Sequence, residues 1–269
     1  GPASVFGLAK SRSAVLTGIW ASSLRIIQSL KSDQLPTELA KGWQGLEMFL
    51  KNSISADSAA VKECLANWQA NMSDILKLAQ ERKIPVIWCR VPVNRKDCPP
   101  FISDTTGISQ ADLEKLKILG EKINEGDSSA SSQLVGELYK SADTHALFNY
   151  LTGVLLLEAG QIESAQAKFK RAVDLDCFRV RTTDSFNTEA EKLAKNFGAI
   201  TADVERVFAE NSDHGIIGSE LVYDHVHLTE RGHYLVARSV FNALKQAKLR
   251  NNEIFPEKFP LEAEVLTML

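Results

Sequence analysis

Ile84-Pro85-Val86-Ile87-Trp88-Cys89-Arg90-Val91, residues 84–91, is a short and almost wholly apolar run. It follows a segment, Ala59 to Arg82, in which Leu65, Trp68, Met72, Ile75, Leu76 and Ala79 recur at helical spacing. That spacing predicts one long amphipathic helix with those six residues inward. A helix, a tight turn and an apolar strand, in that order, is how a parallel sheet buried on both faces reads. Pro85 suits the first residue of such a strand, where a missing amide breaks no ladder. The pattern returns downstream: 188–196 reads as a helix and Gly198-Ala199-Ile200-Thr201-Ala202-Asp203-Val204 as a second strand. The fold class predicted is α/β.

Working outward, Ile19 to Leu30 and Trp43 to Lys51 read as helices separated by a polar break over 31–36. Beyond the first strand, Pro92 to Ser103 is a loop. Loops at the carboxyl ends of parallel strands carry the binding groups of α/β proteins. Asn94, Arg95 and Asp97 are thus candidates to line a site, with a plain Pro-Pro-terminated surface loop as the alternative. Arg179 and Arg181 could reach such a pocket and hold an anionic or carbohydrate substrate, or could sit on a solvated strand edge.

Residues 109–176 differ, running helix after helix between Gly and Ser breaks. Their second half follows the tetratricopeptide pattern W-x2-L-G-x2-Y…A-x3-F…P. Gly153, Ala165 and Phe169 take the glycine, alanine and aromatic positions, with Gly160 at the turn and Ala172 inward. Asn149, Thr152, Leu156 and Cys177 depart from it. Three repeats are usually needed for stability, and 111–143 is at best a degenerate second one, so this module is expected to lean on the α/β part as an insertion.

The chain has 269 residues, a net charge of −3 and 24% charged residues, a balance that suggests no nucleic-acid partner. Its apolar runs, such as Val154 to Leu157, fall far short of the roughly 20 residues of a membrane span, and no signal peptide is read. Cys64, Cys89, Cys98 and Cys177 are scattered, which favours packing thiols over disulfides or zinc. Gly1-Pro2, with no Met before it, suggests a protease-tag scar or a chain cut from something longer.

The stretch Leu221-Val-Tyr-Asp-His-Val-His-Leu-Thr-Glu-Arg-Gly-His-Tyr-Leu235 holds the chemistry. Asp224 and His227 form an Asp-x-x-His pair ahead of a helix predicted from Glu230 to about Lys248, with Thr229 as its N-cap. A carboxylate three residues before an imidazole can accept the Nδ1 proton and leave Nε2 as a general base. Two other readings stay open. His225, His227 and His233 with Asp224 could form a metal cluster, although no glutamate at ligand spacing joins them; or His227 simply caps and packs. His145 and His214 read as packing or surface residues. No metal or cofactor is expected.

These residues together resemble the C-terminal half of an SGNH/GDSL hydrolase. More narrowly, Val91 to Phe101, the repeat and Asp174 to Asn187 resemble the bacterial subgroup that carries a tetratricopeptide insertion. The resemblance implies a flavodoxin-like three-layer α/β fold and a Ser-His-Asp triad. Asp224 would orient His227, and His227 would take the proton of a serine. Asn94, Arg179 and Arg181 would bind substrate, an ester of a small molecule, saccharide or lipid. The serine and oxyanion blocks would lie upstream of residue 1, so the chain alone is expected to be inactive, as a truncated sheet to be prone to aggregation. Gly126-Asp127-Ser128 spells the family's Gly-Asp-Ser, but it follows a helix rather than a strand.

The domains expected are a hydrolase core over 1–108 and 178–250, a helical insertion over 109–177 and a tail over 251–269. The rival from another class is a non-catalytic protein that grips a partner through the repeat groove. The compartment is left open; the resemblance allows a membrane-anchored or extracytoplasmic parent in a bacterium.

Overall fold

Ser58 starts the first helix by accepting the Val61 amide on its hydroxyl at 3.3 Å, which satisfies one orphan donor of the first turn. The computed structural model describes residues 53–247 and 258–267. The helices expected over 19–30 and 43–51, the Gly1-Pro2 start and part of the tail lie outside the described residues. Among the described residues the fold is rich in helix, with one small two-stranded parallel sheet. They divide into two compact units, one formed by 53–55 and Pro99–Phe178, the other by Ala56–Cys98 with 179–247 and 258–267.

The second unit holds the sheet. Helix α1 (Ala59–Glu81) leads to β1 (Ile87–Cys89). Trp68 on α1 packs edge-on to Trp88 at 6.2 Å and against Phe186 at 5.6 Å. Leu76 is buried, whereas Ile75, expected inward, is 56% exposed. Ile75 is rotated about 100° from Leu76, and the surface that covers Leu76 does not reach round to it. The apolar stripe on α1 is wider than the surface it covers.

β1 pairs in parallel with β2 (Ile200–Ala202), Ile87 opposite Ile200 and Cys89 opposite Ala202. The strand expected over 84–91 thus contracts to three residues, because β2 offers only three to pair with. All three are half-buried rather than enclosed on both faces. Before β2 comes α6 (Asp184–Asn196); after it come α7 (Val204–Glu210), which the sequence reading passed over, a 3-10 turn (Asp213–Gly215), α8 (Glu230–Gln246) and α9 (Glu262–Leu266). Phe208, Ile217, Leu221, Val222 and Leu235 make the core of this unit, against one face of the sheet.

The first unit is wholly helical: α2 (Gln110–Glu125), α3 (Ser128–Ala142), α4 (Ala146–Glu158) and α5 (Ile162–Leu175). Its core includes Leu119, Leu138, Phe148 and Phe169. A Cβ on Gly153 of α4 would lie 3.2 Å from the Phe169 ring of α5, so the missing side chain is what lets these helices approach. His145 caps α4 by accepting the Phe148 amide on Nδ1. No helix among the described residues is long and apolar enough to cross a membrane.

Candidate active site

The site is built on a tight hairpin that ends at α8. Val222 and Leu228 form an antiparallel bridge, the Thr229 amide donates to Leu221 O at 3.0 Å, and the Tyr223 amide donates to His227 O at 2.8 Å. Thr229 caps α8, accepting the Gly232 amide at 3.1 Å while its own hydroxyl donates to Glu220 O. Any Cβ at Gly232 would lie 2.4 Å from Leu221 O. Glycine there lets the first turn of α8 press against the hairpin. Leu221 and Val222 are fully buried, and residues 223–227 form the tip.

At the tip, Asp224 Oδ1 accepts the amides of Val226 and His227, each at 2.9 Å. Oδ2 meets His227 Nδ1 at 2.6 Å. Burial pushes the Asp224 carboxyl up, but these two amides and the His227 ring together outweigh it and hold its pKa at about 2. An ionised Asp224 can only accept, so Nδ1–H of His227 donates to it and Nε2 of the neutral ring carries the lone pair. The His227 side chain is 74% exposed, which leaves Nε2 open to a reacting group.

His225 also lies on Asp224, with Nδ1 3.3 Å from Oδ1 and its ring nearly perpendicular to that of His227 at 5.8 Å. Burial is the main cause of its lowered pKa, and nearby Arg181 adds to it. Comparison of the chain with protein-family models, curated proteins and solved structures finds no match.

The foreseen binding residues divide. Asn94 is 1% exposed; its Nδ2 donates to Val222 O at 3.0 Å, its amide to His225 O at 3.3 Å, and its Oδ1 accepts the Asp97 amide at 2.9 Å. Arg181, also buried, donates from Nη1 to Asn94 O at 3.0 Å and to Cys98 O at 2.6 Å. Asn94 therefore holds the hairpin backbone, and Arg181 holds the backbone of the 92–98 loop that carries Asn94. Arg179 is half-buried. Asp97 accepts the Ser219 amide and hydroxyl, and Arg95 pairs with Glu205.

Glu205 and Asn187 escaped the sequence reading. Glu205 also pairs with Arg90, whose guanidinium extends to Asp184 at 3.1 Å and Glu191 at 3.3 Å. Asn187 matches both backbone groups of Val91, accepting its amide at 3.3 Å and donating to its carbonyl at 3.0 Å, much as a neighbouring strand would. A carboxylate in a first helical turn and an asparagine inside a helix carry no signal of such partners.

Gly126-Asp127-Ser128 is helix punctuation. Gly126 ends α2 in the left-handed region at φ 75°, Asp127 caps α3 by accepting the Ala130 amide, and Ser128 begins that helix. Among the described residues, no group of three or more His, Cys, Asp or Glu side chains could hold a metal ion. His233 lies on α8.

Proposed function

We propose that His227 is the general base and acid, and Asp224 its orienting carboxylate, in an SGNH/GDSL-type serine ester hydrolase. In this reading the second unit belongs to a flavodoxin-like three-layer core, and residues 109–177 are a TPR-like insertion. The serine and the oxyanion donors come from outside the described residues. The observation that carries the reading is the 2.6 Å contact of Asp224 with Nδ1 of an imidazole that is otherwise open to solvent.

His227 Nε2 takes the serine proton as Oγ attacks the ester carbonyl, and returns it to the leaving alcohol as the acyl-enzyme forms. It then takes a proton from water, which attacks the acyl-enzyme, and returns that proton to the serine Oγ as the carboxylic acid leaves. Asp224 holds the ring and balances the imidazolium charge at each stage. Asn94 positions the hairpin that carries the pair, Arg181 braces the loop of Asn94, and Arg179 remains a candidate substrate contact. Among the described residues no oxyanion donors are assigned, and each such donor is worth about 3–4 kcal/mol of transition-state stabilisation, so the chain alone is expected to show no turnover.

The alternative is a second role, in which the TPR-like helices grip a helix or peptide of a partner; the seat of Phe169 against Gly153 speaks only to how α4 and α5 pack. The openness of His227 weighs against that being the whole function.

Fluorophosphonate labelling with mass-spectrometric mapping, on this chain beside an N-terminally extended parent, tests the proposal. The expected result is a labelled upstream serine in the parent, lost in His227→Ala, and no label in the chain alone. A parent that takes no label, or keeps it without His227, overturns the proposal; a label on Ser128 moves the nucleophile inside the chain.

A further inference from the structure

Tyr223 faces His227 across the hairpin, its amide bonded to the His227 carbonyl. Opposite residues of an antiparallel pair present their side chains to the same face. Exposures agree with that placement. Val222 is fully buried, whereas Tyr223 is 53% exposed and the His227 side chain is open to solvent. The ring is also tethered, because its hydroxyl donates to the Glu230 carboxylate in the first turn of α8. That bond lowers the pKa of Glu230, keeping it ionised as an acceptor. An aromatic plane is thus held in water beside the imidazole, with a carboxylate at its rim.

We infer that Tyr223 is the platform on which the sugar ring of an O-acylated saccharide lies while its ester is presented to His227. The inference rests on the esterase reading and names its substrate class. A pyranose has one face of C–H groups, which suits an aromatic plane, and a rim of hydroxyls, which suits water and the Glu230 carboxylate. A fatty acyl chain gains most from an enclosed apolar cavity, and a half-exposed ring offers it little. Tyr223 is therefore a specificity-determining residue, and His227 keeps the chemistry.

Binding read by NMR on the 269-residue chain tests this without turnover. The probes are O-acetylated xylotetraose and N-acetylchitotetraose, with dihexanoylphosphatidylcholine below its micelle concentration as the lipid arm. A saccharide is expected to shift both the Tyr223 ring and the His227 Cε1–H. Affinity should fall by about tenfold or more in Tyr223→Ala, hold within about threefold in Tyr223→Trp, and fall between these in Tyr223→Phe, which keeps the ring without its tether. Saccharide binding untouched by Tyr223→Ala, lipid alone shifting the pair, or no probe shifting Tyr223 would each overturn the inference. Sugar bound at Tyr223 with no serine labelled in the parent removes the esterase and keeps the platform. A labelled serine with a silent Tyr223 removes the platform alone.

Discussion

Asp224 gathers two amides and one imidazole onto a single carboxylate, and the tip of the hairpin depends on its charge. Its folded pKa of about 2 lies below the roughly 3.9 of a free aspartate. A depressed folded value stabilises above the unfolded value and is lost as pH falls through the folded one. The 224–227 tip should therefore hold from neutrality to about pH 4 and loosen as the pH falls toward 2. Amide shifts of Val226 and His227 followed from pH 5 to 2 check this, and shifts that stay flat across the range would contradict it. Beneath the tip, Asn94→Ala would leave the Val222 carbonyl and the Asp97 amide without their partner. The cost should be about 1–3 kcal/mol in urea unfolding, with shift changes centred on residues 222–227. A variant as stable as the parent would rule out that role.

Among the helices, two glycines that look alike in sequence should behave in opposite ways. Gly153→Ala in α4 drives a methyl to 3.2 Å from the buried Phe169 ring, and overpacking of this kind costs about 1–3 kcal/mol. Gly136 of α3 has nothing within 4 Å of its Cβ position, so Gly136→Ala should stabilise by about 0.5–1 kcal/mol through helix propensity. Thermal melts of the two variants decide the matter, and a stabilising Gly153→Ala would mean α4 and α5 are not closely packed there. At this scale much was legible. Thr229 before Glu230 announced the start of α8, and the heptad-like spacing after Ala59 announced α1. The short α7 was not, since seven residues give too little periodicity to stand out from a loop.

For the whole molecule, the places where the chain crosses between its two units are stapled on both sides. In the second unit Arg181 bonds Cys98 O and Asn94 O, drawing together the two ends of its interrupted chain. In the first, Asp176 accepts the amides of Phe101 and Ile102, and the Cys177 amide donates to Ile102 O. A segment whose ends lie this close can be removed without stretching what remains. Replacing Pro99–Phe178 with a short Gly/Ser linker should leave a folded second unit in which the His227 Nδ1 proton and the Asn94 side-chain amide keep their NMR shifts. Collapse of that spectrum would show that the second unit needs the first.

The sequence by itself determined what depends on near neighbours. Helical spacing placed α1, the Gly and Ser breaks marked 109–176 as helix after helix, and an Asp-x-x-His with a Thr cap behind it specified a turn that bonds within itself. Only the tertiary structure decided which polar groups are buried and against what. Asn94 meets Val222 from 128 residues away, and Asn187 meets Val91 from 96 away. Partners that far apart leave no periodic trace, so Asn94 and Arg181 read as pocket residues until their carbonyl partners were in view. The same holds for burial. Composition made Ile75 and the 84–91 strand apolar, but only the surfaces brought against them set how much of each is covered, and the length of β2 set how much of that strand could pair.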